Sequence, residues 1–146
     1  TFARYDMGSL AERTIKEKTE FAVIKYTVPG MKDLPVASKK LIDEHNCDIV
    51  LALGMPGPEQ IDKQCAHEAS QGIIQAQLMT NTHIIEVFVH EDEAKDKEEL
   101  LRIVKDRTIK HSNNAIALLI GKNELDKFAG KGLRQGKEDK GPLMEG

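Results

Sequence analysis

Asp48-Ile49-Val50-Leu51-Ala52-Leu53-Gly54-Met55-Pro56-Gly57-Pro58 sets a short apolar run against a glycine-proline loop. Such a run is the signature of a strand buried on both faces. Beyond the loop, Ile61, Cys65, Ala69, Ile73 and Ala76 recur at helical spacing and predict a helix over 60–80. Upstream, residues 21–28 are rich in β-branched and aromatic side chains and read as another strand. That stretch ends in a second loop of the same kind, Val28-Pro29-Gly30-Met31-Lys32-Asp33-Leu34-Pro35-Val36-Ala37. A helix is predicted over 32–46, with Pro35 tolerated in its first turn and Val36, Ala37, Leu41 and Ile42 on one face. In an open α/β sheet, loops of this type lie at the carboxyl ends of strands, where ligands bind. Glycine lets backbone approach a flat ligand closely, and proline stiffens the approach.

The flanking segments complete the pattern. Residues 6–19 read as a helix, with Met7, Leu10, Ala11 and Ile15 at helical spacing. His83–Val89 reads as a strand. A long helix over 95–120 is predicted to start among Glu91, Asp92, Glu93 and Asp96, since acids favour the positive end of the helix dipole. Helices alternating with strands imply a parallel sheet covered on both faces. Three strands are few for such a sheet, and a fourth ahead of Thr1 would repair the count. Residues 1–136 read as a single domain, and 137–146 as a flexible tail.

Composition narrows the function. The net charge of −3 gives no basic field for nucleic acid. With aromatics at 4% and no Trp, a base-stacking platform is not expected. No apolar run approaches the length of a membrane span. The two cysteines, Cys47 and Cys65, form no CxxC motif and no disulfide framework. They are expected to be largely buried thiols in a reducing, cytoplasmic compartment. The start at Thr1, without an initiator Met or a signal peptide, suggests that a short piece precedes it, in keeping with the expected fourth strand.

Blocks along nearly the whole chain carry a family resemblance. They are Thr1–Met7, Thr27–Ala37, Ala52–Gly57, Cys65-Ala66-His67-Glu68-Ala69-Ser70, Gln77–Asn81, His83–Ala94 and Ala129-Gly130-Lys131-Gly132-Leu133-Arg134-Gln135-Gly136. In this order they resemble the archaeal-type riboflavin synthases, relatives of lumazine synthase. The resemblance implies a three-layer αβα fold around a four-stranded parallel sheet, its first strand truncated before Thr1. It implies a homopentamer with active sites between neighbouring subunits. The implied reaction is a dismutation in which one 6,7-dimethyl-8-ribityllumazine donates four carbons to another. The products are riboflavin and 5-amino-6-ribitylaminouracil.

Lumazine synthase itself is the nearest alternative. Its Arg-Gly loop receives a phosphorylated substrate and is followed closely by His. Here the loop reads Met55-Pro56-Gly57-Pro58-Glu59-Gln60-Ile61, with no Arg and no adjacent His. Neutral and acidic side chains make a poor phosphate clamp. Two more distant readings are a non-catalytic lumazine- or flavin-binding protein and a flavodoxin-like interaction module.

Several residues are candidates for the site. Pro29, Gly30, Met31 and Lys32 would form one wall, and Gly54, Met55, Pro56 and Gly57 the other, against the alternative of purely structural turns. Thr1, Phe2, Ala3 and Arg4 fall where the family places a ring-contacting loop. Phe2 would otherwise be a core residue. His67 and Glu68 lie off the apolar stripe of their helix. As catalytic residues, His67 would move a proton near neutral pH and Glu68 would orient it. Gln71 stands where a zinc-binding HExxH motif needs its second His. His90 ends the last strand at the ligand-binding edge and is the other catalytic candidate. Lys131 and Arg134 would help close the site from a glycine-rich tail, or else belong to a disordered basic segment. The resemblance suggests assistance by magnesium, although the sequence offers no ligand set, and no organic cofactor is expected.

Overall fold

The computed structural model describes residues 1–145. Helix α1 spans Met7–Lys18, with the Asp6 carboxylate accepting from the Ser9 N–H at its start. A 3-10 turn, Met31–Asp33, leads into α2, Leu34–Asp43. Strand β1 is Val50–Gly54, α3 is Gln60–Thr80 and β2 is Ile84–Phe88. Helix α4 is Lys97–Ile120, capped by the Asp96 carboxylate. The acids Glu91, Asp92 and Glu93 do not open α4 but form a separate 3-10 turn. The extended Asp96 backbone interrupts the helical path, and its side chain satisfies the Glu99 N–H instead.

Strands β1 and β2 pair in parallel, with Val50 opposite Ile84 and Gly54 opposite Phe88. Side chains alternate across this ladder and feed two separate cores. Val50, Ala52, Ile84 and Phe88 pack with α2 and α3 around Leu34, Ala37, Leu41, Ala66, Ala69, Ile73 and Ala76. Leu51, Leu53, Ile85 and Val87 face the other way, onto Met7 of α1 and Leu100, Ile103 and Val104 of α4. The helices therefore cover both faces of the sheet, as the alternation of elements required.

Two expectations are corrected. Residues 21–28 form no strand: the sheet of the described residues contains β1 and β2 only. A strand exists through its ladder, and this segment faces β1 across a cavity of about 930 Å³. Val28 is buried, but Phe21, Ile24 and Tyr26 remain exposed. The thiols are also less buried than expected, Cys47 and Cys65 being half-buried. Cys47 lines the cavity, and Cys65 lies on the flank of α3. Burial, with the help of Asp48, pushes the Cys47 thiol up. Two helix stripes shift as well. Ile61 and Val36 are exposed, because burial on α3 begins at Ala66 and on α2 falls on Leu34, Ala37, Ser38 and Leu41. No helix among the described residues is long and apolar enough to cross a membrane.

Helices α2 and α3 come closest at Gly72, where an added Cβ would stand 2.7 Å from Cγ of the Pro35 ring. That ring cannot swing away as a flexible side chain would. At Gly8 in α1 an added Cβ would meet only Asp6 Oδ1, at 3.6 Å. The same substitution should therefore act with opposite signs at the two sites. Gly8→Ala should stabilise by about 0.5–1 kcal/mol through helix propensity. Gly72→Ala should destabilise by about 1–3 kcal/mol through overpacking. Urea unfolding of the two variants measures both.

Candidate active site

The parallel register brings the carboxyl ends of β1 and β2 to one edge, so the loops that follow them begin side by side. Beyond the ladder, Val89 N–H donates to Gly54 O and Glu91 N–H to Pro56 O, each at 3.0 Å. The loops Gly54–Gly57 and Val89–Glu91 are thus laced together. The 29–33 loop reaches the same place from the α2 side. The Met31 thioether fills the space that a side chain at Gly54 would need. Both glycine-proline loops therefore meet, through Met31 and Gly54.

Local bonds hold the 29–33 loop in shape. Asp33 accepts from Gly30 N–H through Oδ2 at 3.2 Å, and Asp33 N–H returns to Gly30 O. Gly30 is extended, and a Cβ there would meet only Asp33 Oδ2, at 3.7 Å. The absence of a side chain at Gly30 is therefore not dictated by backbone strain, and it leaves open space above the loop. Lys32, at the helix end of the loop, reaches across to Glu68 on α3 at 2.7 Å. The Lys32 partner, then Gln64, hold the Glu68 carboxyl below the usual range. Glu68 thus engages Lys32 and Gln64 and not His67. The His67 ring lies 3.3 Å from Gln71 Nε2, and both His67 and Glu68 are exposed.

The N-terminal residues come to the same edge. Thr1 Oγ1 donates to Leu53 O at 3.2 Å, and Arg4 pairs with Glu91 at 2.6 Å. Ala3 packs with Val87, Val89 and Met55 in the second core cluster. Phe2 is 77% exposed and so belongs to no core.

His90 is the most constrained of the histidines proposed. Its N–H donates to Glu93 Oε1 at 3.0 Å, and its Nδ1 is buried with no partner among the described residues. Glu93 is gripped by Arg107 of α4 through both carboxylate oxygens, at 2.9 and 2.8 Å. Burial pushes the Glu93 carboxyl up. The Arg107 hydrogen bonds and the His90 N–H outweigh that burial and hold it below the usual Glu range. The same guanidinium donates to Phe88 O and to Gln135 O. Arg107, Glu93 and Gly136 escaped sequence reasoning. Glu93 looked like one of several helix-start acids, and nothing in the spacing ties residue 107 to 93 or 135.

The C-terminal candidates divide. The Arg134 carbonyl accepts from Lys110 Nζ, and its N–H donates to Asp139. Lys131 is exposed. Residues 137–145 carry no helix or strand, yet Lys140 N–H bonds back to Gly132 O at 2.9 Å. Gly146, the end of the expected tail, lies outside the described residues. No grouping of His, Cys, Asp and Glu among the described residues could hold a metal ion.

Comparison with known proteins agrees with this architecture. The model of the 6,7-dimethyl-8-ribityllumazine synthase family matches residues 1–120. A protein of Methanothermobacter thermautotrophicus named riboflavin synthase is 60% identical over 98% of this chain and 94% of its own length. Its namesake from Archaeoglobus fulgidus is 43% identical over 99% and 95% of the two chains. A 6,7-dimethyl-8-ribityllumazine synthase of Methanocaldococcus jannaschii is 34% identical, but over only 47% of this chain. The chain belongs to the lumazine synthase family, and within it to the branch of the archaeal proteins named riboflavin synthase.

The Arg107–Glu93 pair makes stability depend on pH. The folded-state pKa of Glu93 lies below its ordinary value of 4.5. The contribution of the pair is therefore complete above that value and lost as pH falls through the folded one. Arg107→Ala should cost about 1.5–3 kcal/mol at pH 7, the worth of charge-assisted hydrogen bonds. Urea titrations should show the gap to the parent protein narrowing as pH falls below 4.5, the bonds of Arg107 to Phe88 O and Gln135 O keeping the remainder, whereas a gap independent of pH would contradict the pairing.

Proposed function

We propose that this chain is a riboflavin synthase, a transferase that dismutates two molecules of 6,7-dimethyl-8-ribityllumazine to riboflavin and 5-amino-6-ribitylaminouracil. The observation that carries the reading is the meeting of two glycine-proline loops at one sheet edge, beside His90, with no arginine in the Gly54–Gly57 loop. Such an edge offers backbone and apolar surface to a flat, uncharged heterocycle. It lacks the forked cation that a phosphorylated substrate calls for. The family membership and the 60% identity to a protein named riboflavin synthase support the same choice over lumazine synthase.

The substrate supplies much of the chemistry. The methyl group on ring carbon 7 is acidic, because its anion delocalises into the ring. His90 or His67, or a water held by either, removes that proton. The carbanion then attacks the second lumazine, so that one ring serves as donor and the other as acceptor. Pro29–Lys32 and Gly54–Gly57 form the walls, Phe2 stacks from the N-terminal loop, and Lys131 and Arg134 close the site. Holding two identical rings in reactive orientation supplies on the order of 7–11 kcal/mol. The described residues offer no cluster of His, Cys, Asp and Glu that fits magnesium.

The assembly proposed is a cytoplasmic homopentamer with sites between subunits. Ile74, Leu78 and Met79 on α3 are 54–77% exposed, which supports a partner surface there. The sheet proposed has four strands. The cavity between 21–27 and the open edge of β1 is lined by Val23, Ile24, Tyr26, Leu51 and Leu53. These are the walls of a strand slot, and residues 21–28 would pair once an extended strand ahead of Thr1 filled it.

Incubation with dimethyl-ribityllumazine alone tests the function. Green-yellow riboflavin fluorescence, with aminouracil in equal amount, is expected. Stoichiometric binding without turnover would mark a binding protein, and inertness toward the lumazine with its formation from the aminouracil and a phosphorylated four-carbon unit would mark a lumazine synthase. In the same assay Gly30→Val should nearly abolish turnover by filling the open wall. His67→Ala and His90→Ala should each slow it moderately. A silent Gly30→Val would overturn the pocket assignment.

A further inference from the structure

We propose that Arg107 is a positioning residue that ties the His90 loop to the C-terminal segment and so sets the geometry of the active site. The proposal rests on placing the site at the carboxyl edge of β1 and β2. Arg107 lies in the middle of α4, its side chain only 12% exposed. Its guanidinium makes four directed bonds. Nε donates to Gln135 O at 3.1 Å, one terminal nitrogen to Phe88 O and Glu93 Oε1, and the other to Glu93 Oε2. A guanidinium has five N–H groups, so this cation is almost fully used within the protein. It is not free to bind substrate. Its bonds tie the end of β2 and the 3-10 turn that follows His90 to Gln135, more than forty residues further along the chain.

The surroundings are shaped to this cation. Gly136 has φ +80° and lies buried against the flat guanidinium; a Cβ there would come within 2.7 Å of Nε. Gly136 N–H donates to Asp106 Oδ2 at 2.7 Å, and Lys110 Nζ donates to Arg134 O at 3.0 Å. One stretch of α4, residues 106–110, thus grips the segment 134–136 by its backbone atoms. Glu93, held from below by Arg107, accepts the His90 N–H and so fixes where His90 leaves the sheet. A planar fork is required for this. A lysine at 107 would supply a point charge with at most three donors and could not serve the carboxylate and both carbonyls together.

Steady-state kinetics of the full chain with dimethyl-ribityllumazine test the proposal, at temperatures where circular dichroism shows each variant folded. Arg107→Ala should lower kcat about 100-fold, the scale of an ångström-sized misplacement. KM should change only a few-fold, because the walls at Pro29–Lys32 and Gly54–Gly57 remain. Arg107→Lys should recover less than a tenth of the lost kcat. Gly136→Ala keeps the Arg107 and Glu93 side chains but pushes the segment 135–136 off the guanidinium, so it should lower kcat at least tenfold, again with little effect on KM. It also decides the matter should Arg107→Ala fail to fold. A merely structural clamp would lower the unfolding temperature of the variants and leave kcat intact, which would overturn the proposal. Loss of kcat in Arg107→Ala with a silent Gly136→Ala would also overturn it, since the C-terminal segment would then be uncoupled. If Gly30→Val and His90→Ala are silent too, the site itself is misplaced, and the failure lies with the functional reading.

Discussion

Parallel pairing of β1 with β2 is the constraint on which the rest of this structure depends. Because Gly54 stands opposite Phe88, both strands end at one level. Everything chemically suggestive then gathers at that level: Met31 against Gly54, Pro56 bonded to Glu91, Thr1 bonded to Leu53 and Arg4 paired with Glu91. The alternating side chains of the same two strands also nucleate both cores, with α2 and α3 on one face and α1 and α4 on the other. A shift of one residue in this register would turn both sets of apolar side chains to the wrong face. It would also separate the loops that meet beyond the ladder.

Charge is handled differently on the two sides of the edge. Toward solvent, Lys32–Glu68, Lys63–Asp92 and Arg4–Glu91 bridge neighbouring elements with exposed, adjustable pairs. Such pairs align loops while leaving them able to yield to a ligand. Toward the interior, Arg107 and Glu93 form a pair whose members are 12% and 17% exposed, with the spare donors of Arg107 spent on backbone carbonyls. A desolvated pair of this kind is costly to break and therefore specifies one arrangement.

Sequence reading reached those features that follow from local periodicity. Helix α3 was legible almost to the residue, since Ala69, Ile73 and Ala76 recur on one face and Asn81 closes it in a left-handed conformation. The two glycine-proline segments were legible as loops because glycine and proline carry local backbone information, but the first was read as following a strand that does not form. The Phe21–Val28 segment had strand composition, but strandness needs a partner, and no local signal reports whether an edge is filled. Glu93 and Arg107 were invisible for the same reason. Their pairing spans a strand end and a helix middle, and depends on how α4 lies across β2. The Glu68 side chain shows the converse failure. Adjacent to His67 in sequence, it points to Lys32, because neighbours on a helix do not face each other.

A crystal structure of the chain with an unreactive ribityllumazine analogue tests most directly that the carboxyl edge of β1 and β2 is the active site. The expected result is ring density against the backbone of Pro29–Met31 and Gly54–Gly57, with His90 and Phe2 in contact. Density confined to the cavity between residues 21–27 and β1, with the sheet edge empty, would contradict it.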